Sequence, residues 1–219
     1  MNGANNAAGD RLRGTAALAH ALSVVLHPVF MPLLTLVLAF RLDPHISFFL
    51  PPPVQWFTFG MVAVMTVLFP LSSAVILWRS GAISSLTMPR RQERIAPLTM
   101  TLLYLAMALY LLHRGPHHPA TLALFHGVLL AVAATLVVTL RWRISAHMVG
   151  IGGLLGGLSA LQALHGTFAP LELAGIIVLA GALGSARMLV GDHTAAQVGA
   201  GTALGFFSTW ACVLFGTPA

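Results

Sequence analysis

Ten histidines and eleven arginines, with no lysine at all, are the residues of this 219-residue chain whose types could do chemistry. Six of the arginines and two of the histidines, His147 and His193, fall in three short segments. The first runs Met88-Pro89-Arg90-Arg91-Gln92-Glu93-Arg94-Ile95-Ala96-Pro97. The second is Arg141-Trp142-Arg143-Ile144-Ser145-Ala146-His147, and the third runs from Ser185 through Arg187, Asp192, His193 and Thr194 to Gln197. Planar Arg forks bind phosphate oxygens bidentately and keep their charge at any working pH. One neutral imidazole can attack phosphorus while a second protonates the leaving oxygen. The residue types therefore suit phosphoryl transfer from a monoester or diphosphate, with several arginines offsetting the developing charge and no metal or other cofactor expected.

Such residues need elements that hold them, and composition says what those elements are. The chain is 58% hydrophobic and 7% charged, with a mean hydropathy of +0.89. About a quarter of a soluble domain is charged, so lipid must cover this surface. Apolar runs near 21–40, 54–78, 96–113, 119–140, 148–165, 171–189 and 195–215 have the length that crosses a bilayer. The expected fold is an all-α integral membrane protein of about seven transmembrane helices, because lipid leaves open strand edges unsatisfied. Residues 1–18 read as a polar, disordered tail without a secretory signal, and 19–217 as one helical domain. Pro28 and Pro32 should kink the first run or delay its start. The glycines at 150, 152, 153, 156 and 157 suit close helix packing.

Counting crossings puts the three segments on one face, since two spans separate each from the next. That face, with the N-terminus, holds Arg11, Arg13, Arg79, Arg90, Arg91, Arg94, Arg141, Arg143 and Arg187; the other holds Arg41 and Arg114. The net charge of +6 is scattered between apolar runs, which fits membrane-flanking loops rather than nucleic-acid binding. Lone Cys212 excludes an internal disulfide. Prolines interrupt any metal-ligand spacing of His113, His117 and His118, so an exposed loop is expected there. His20, His27, His45, His126 and His165 have no evident partner, and Glu93 is expected beside one of its neighbouring arginines.

Over about residues 85–205 the three segments resemble the signature motifs of the type 2 phosphatidic acid phosphatase (PAP2) superfamily. Its third motif is Ser-Arg, five residues, His, three residues, Asp; Arg187 and His193 stand at that interval, with Ser185 displaced by one. Its Pro-Ser-Gly-His motif is matched in part by Ser145-Ala146-His147, and its Lys-x6-Arg-Pro motif loosely by Arg90, Arg91, Arg94 and Pro97. The resemblance implies a PAP2-like core with His193 as nucleophile, through a phosphohistidine, and His147 as general acid. Arg187, Arg94, Arg91, Arg90 and Ser145 would bind phosphate. Where the family has Asp, this chain has Gln197, which would orient the His193 ring without supplying negative charge. Asp192, beside His193, is not expected to take over that role. The implied substrate is a lipid phosphate or polyprenyl diphosphate, and the implied location a bacterial-type inner membrane with the N-terminus on the active side. A lipid phosphotransferase, or a non-catalytic lipid-phosphate binder or transporter, remains open on the same residues.

Overall fold

Backbone groups in lipid must be satisfied within the chain, and every long apolar run here meets that demand as helix. A computed structural model describes residues 2–167 and 169–216, with side chains from Gly14 onward. The helices are α1 (Asn2–Val25), α2 (Met31–Leu42), α3 (Pro44–Ser47), α4 (Pro52–Ala63), α5 (Phe69–Arg79), α6 (Ile95–His113), α7 (Pro119–Thr139), α8 (Ala146–His165), α9 (Pro170–Leu189) and α10 (Ala195–Gly216). There is no strand among the described residues. Seven stretches are long and apolar enough to span a membrane: Gly14–Leu42, Pro52–Arg79, Arg91–His113, Pro119–Thr139, Ala146–His165, Pro170–Leu189 and Ala195–Gly216. The chain is a seven-helix, multi-pass membrane protein.

Helix α1 reaches back to Asn2, where composition suggests a disordered tail; Ala4, Ala7 and Ala8 supply strong helix formers there. The first span is also longer than the apolar run and is broken near its middle. His27 precedes Pro28 and is forced into an extended conformation (φ −65°, ψ 138°). Its N–H bonds the Val24 carbonyl at 3.3 Å instead of Ser23, the partner a continuous helix would use. A 3-10 turn (Pro28–Phe30) then leads into α2. The second span adjusts to its proline differently. Pro70 has no N–H and crowds the carbonyl four residues back, and a π turn (Val64–Leu68) joins α4 to α5, with Phe69 N–H donating to Val64.

Prolines open α3, α4, α7 and α9, where the missing N–H costs nothing. By crossing order α4, α7 and α9 start on the face opposite the Arg-rich one. Helices α6, α8 and α10 start on the Arg-rich face, and none has proline in its first two positions.

The most buried span is α8, which packs chiefly on α10. Their backbones approach closely enough that a Cβ on Gly156 would collide with the Phe206 carbonyl, and one on Gly205 with that of Val149. Thr209 Oγ1 donates across the gap to the Gly153 carbonyl at 2.8 Å. This is the small-residue packing expected of membrane helices, and it fixes the relative height of the α8 and α10 N-termini. Gly205→Val should lower the thermal unfolding midpoint in detergent, costing about 1–3 kcal/mol or more as overpacking does. Gly199→Ala, on the same helix with nothing near its added Cβ, should leave the midpoint unchanged or slightly raised.

Candidate phosphate site on the Arg-rich face

The segment after α9 begins the site. Gly191, in the left-handed region (φ 76°), ends that helix, and the His193 N–H caps the Arg187 carbonyl at 3.3 Å. Residues 190–194 form a turn, so Asp192 is not on a helix next to His193. Its carboxylate accepts from Arg187 Nη2 at 2.5 Å and stands 3.9 Å from Arg143 Nη2. It organises the arginines and leaves His193 to Gln197.

The tautomer of His193 follows from its neighbours. The Thr194 backbone N–H donates to Gln197 Oε1 at 3.1 Å, which sets the amide with its oxygen toward the turn. The same oxygen lies 3.1 Å from His193 Nδ1. An oxygen only accepts, so Nδ1 carries the proton and Nε2 keeps its lone pair. His193 is 6% exposed. Burial, together with the positive charges of Arg94, Arg187 and Arg143, depresses the ring to about 4 against the upward pull of Gln197. At neutral pH it is an uncharged imidazole.

Arg94 comes from the start of the third span. Met88 adopts a left-handed backbone (φ 48°), uncommon for a side-chain-bearing residue, and its carbonyl accepts Arg94 Nε at 3.0 Å. Arg187 Nε and Arg143 Nε are buried without a hydrogen-bond partner among the described residues. Within this cluster three arginines face one carboxylate, so two positive charges stay uncompensated. Such an excess, partly out of water and with Arg94 and Arg143 just before helix N-termini, attracts an anion.

His147 enters at the first turn of α8. Its Nε2 lies 3.0 Å from the Ser23 carbonyl, the group released by the break before Pro28. A carbonyl only accepts, so Nε2 carries the proton and Nδ1 is free to exchange one. The His27 ring meets the His147 ring edge-on at 5.3 Å. The Arg187 charge acts on both rings, and His193 acts on His147.

Thus Arg94, His147, Arg187, His193 and Gln197 are brought together. Arg90 is exposed on the rim, Arg91 is half-buried on a 3-10 turn (Arg91–Arg94), and neither joins the charges acting on His193. Ser145 is fully buried; its N–H reaches the Gln197 carbonyl at 3.4 Å and its hydroxyl has no partner among the described residues. Glu93 accepts the Ser84 N–H at 3.3 Å instead of pairing directly with an arginine, although the Arg90 charge reaches it. Arg143, Asp192 and His27 belong to the cluster and escape sequence reasoning as site residues. Arg143 was visible only as one more loop arginine, and the Pro28 break beside His27 was the one signal for that residue.

Comparison with protein-family models, characterised proteins and solved structures yields no match.

Because the folded-state pKa of His193 lies below its ordinary 6.5, the unfolded chain binds the proton more readily. The corresponding stability is present above pH 6.5 and is lost as pH falls toward 4. Ring NMR of labelled histidine should find His193 titrating near 4. Arg94→Gln removes a repelling charge and Gln197→Asp adds an attracting one, so each should move the midpoint upward.

Proposed function

We propose that the chain is a membrane phosphatase of PAP2 type, acting on a lipid phosphate or isoprenoid diphosphate. The observation that carries this reading is a buried, neutral His193 with Nδ1–H held by Gln197, Nε2 unprotonated, and three arginines acting on it. A phosphohistidine mechanism needs that arrangement. The Nε2 lone pair attacks phosphorus, and the bond from phosphorus to the lipid oxygen breaks. Arg94, Arg143 and Arg187 offset the charge on the non-bridging oxygens. The anionic phosphate, once bound, offsets the Arg187 charge and lets His147 take a proton from solvent. Nδ1 gives that proton to the leaving oxygen, and the resulting neutral ring then takes a proton from water as that water attacks phosphorus. The P–N bond breaks, phosphate leaves and His193 recovers its lone pair. Activation rests on orientation and desolvation, because Gln197 supplies no charge to stabilise an imidazolium.

A lipid substrate is supported by a cavity of about 260 Å³ between α8, α9 and α10. Its lining includes Met148, Ala180, Gly181, Met188 and Val198, and is mainly apolar. Met148, Met188 and Val198 are chain neighbours of His147, Arg187 and Gln197, so an apolar tail in this groove puts its phosphate at the cluster. On this reading the chain resides in a cell membrane of the bacterial inner-membrane type, with its N-terminus on the active side.

Purified protein should release phosphate from phosphatidic acid or an isoprenoid diphosphate without added divalent metal. His193→Ala and His147→Ala should each lower kcat by about 10²–10⁴-fold, and Arg187→Gln by about 10²–10³-fold. Unchanged rates in both histidine variants would sink the mechanism. Gln197→Asp should accelerate turnover, because an adjacent carboxylate stabilises the imidazolium. The neutral Gln197 also favours a second reading, a lipid-phosphate binder; lipid retention without turnover, insensitive to His193→Ala, would establish that instead. Gly181→Leu, at a groove position with open space beside it, should raise KM for long-chain lipids and leave a short soluble monoester unaffected.

A further inference from the structure

The opposite face carries a second cluster that phosphate chemistry does not use. Asp43 closes α2 and caps α3, where its Oδ1 accepts the His45 N–H at 3.1 Å. Pro44 at the first position of α3 sets up this turn. The carboxylate is nearly sealed, at 3% exposed. His165, the last residue of α8, puts Nδ1 2.5 Å from Asp43 Oδ2, and His45 puts Nδ1 3.1 Å from Oδ1. The two rings stack at 4.9 Å, and Gly166 turns the chain away in the left-handed region (φ 65°). One oxygen and two imidazole nitrogens thus lie within 4.8 Å of one another, drawn from the segment just after the first span and from the end of the fifth.

A buried carboxylate beside two imidazoles is a donor set for a borderline divalent ion. Zinc binds such atoms at about 2.0–2.2 Å, while magnesium and calcium prefer oxygen ligands alone. The donors need only a small contraction to meet one ion. His45 is 56% exposed, and a cavity of about 110 Å³ lined by His45, Phe49, His117 and His118 opens beside it. That is ample for water ligands. His118 sits edge-on to His165 at 5.6 Å, with Nδ1 accepting the Ala120 N–H; it borders the site and leaves only Nε2 to face a water.

We propose that Asp43, His45 and His165 bind one divalent transition-metal ion of the zinc class, with water completing the coordination, and so clip the first span to the far end of α8. The site is separate from the phosphate cluster and stands or falls independently of the phosphatase reading.

The test uses the full chain, freed of any affinity tag, stripped with chelator and titrated calorimetrically with zinc chloride. One zinc per chain is expected, with N/O ligands at about 2.0–2.2 Å by X-ray absorption. His45→Ala, whose side chain is mostly exposed and whose loss should spare helicity by circular dichroism, should weaken binding by at least about tenfold. His165→Gln and Asp43→Asn should do the same. The double variant His113→Ala/His126→Ala removes another ring pair, 5.3 Å apart, and should bind zinc like the parent. Absence of zinc binding by the parent would overturn the site and leave Asp43 as a hydrogen-bonded anchor for two histidines. Binding that survives both His45→Ala and His165→Gln would overturn it equally.

Discussion

Backbone-to-backbone contact between α8 and α10 is the constraint on which the rest of the structure depends. Lipid supplies no hydrophobic force to press two helices together, so association relies on close packing and interhelical hydrogen bonds. Gly156 and Gly205 allow the approach, and Thr209 bonds the Gly153 carbonyl across it. Both helices begin on the Arg-rich face, so this contact sets the distance between His147 on one and Gln197 on the other, with His193 in the turn just before it. The Ser145 N–H, reaching the Gln197 carbonyl, ties the two N-terminal turns directly.

Around that pair the chain turns irregular backbone into fixed polar groups. The break before Pro28 frees the Ser23 carbonyl, which captures His147. The left-handed turn at Met88 offers a carbonyl to Arg94, and the left-handed Gly191 lets the His193 amide cap Arg187. Non-helical backbone at membrane depth persists where protein or a polar cavity satisfies it. Each of these three irregularities is satisfied by, or positions, a member of the same cluster.

Helix α8 also links the two faces of the molecule. Its first turn carries His147 and its last residue is His165, so the phosphate cluster and the Asp43 cluster stand at opposite ends of one rigid, deeply buried rod. Helix starts are distributed in keeping with this. Prolines open the helices of the Asp43 face, where the first amide is missing, whereas α8 and α10 on the Arg-rich face have no proline in their first turn.

Seven membrane helices were legible in composition and run length, because lipid permits almost nothing else to a chain with so few charges. Crossing order likewise put Arg94, His147, Arg187 and His193 on one face, since parity survives errors of several residues in helix ends. Sequence spacing could not rank Arg143 above Arg90 and Arg91, because only packing decides which loop arginine turns inward. Nor could it pair His147 with Ser23, His27 with His147, or Asp43 with His45 and His165, contacts made by helices far apart in sequence. The role of Asp192 depended on the turn at 190–194, which gives its carboxylate to arginine. The sequence by itself determined the membrane fold and the shared face, which follow from the solvent and from counting. Tertiary structure alone decided which side chains meet, because that depends on where helix breaks and glycine contacts bring distant backbones together.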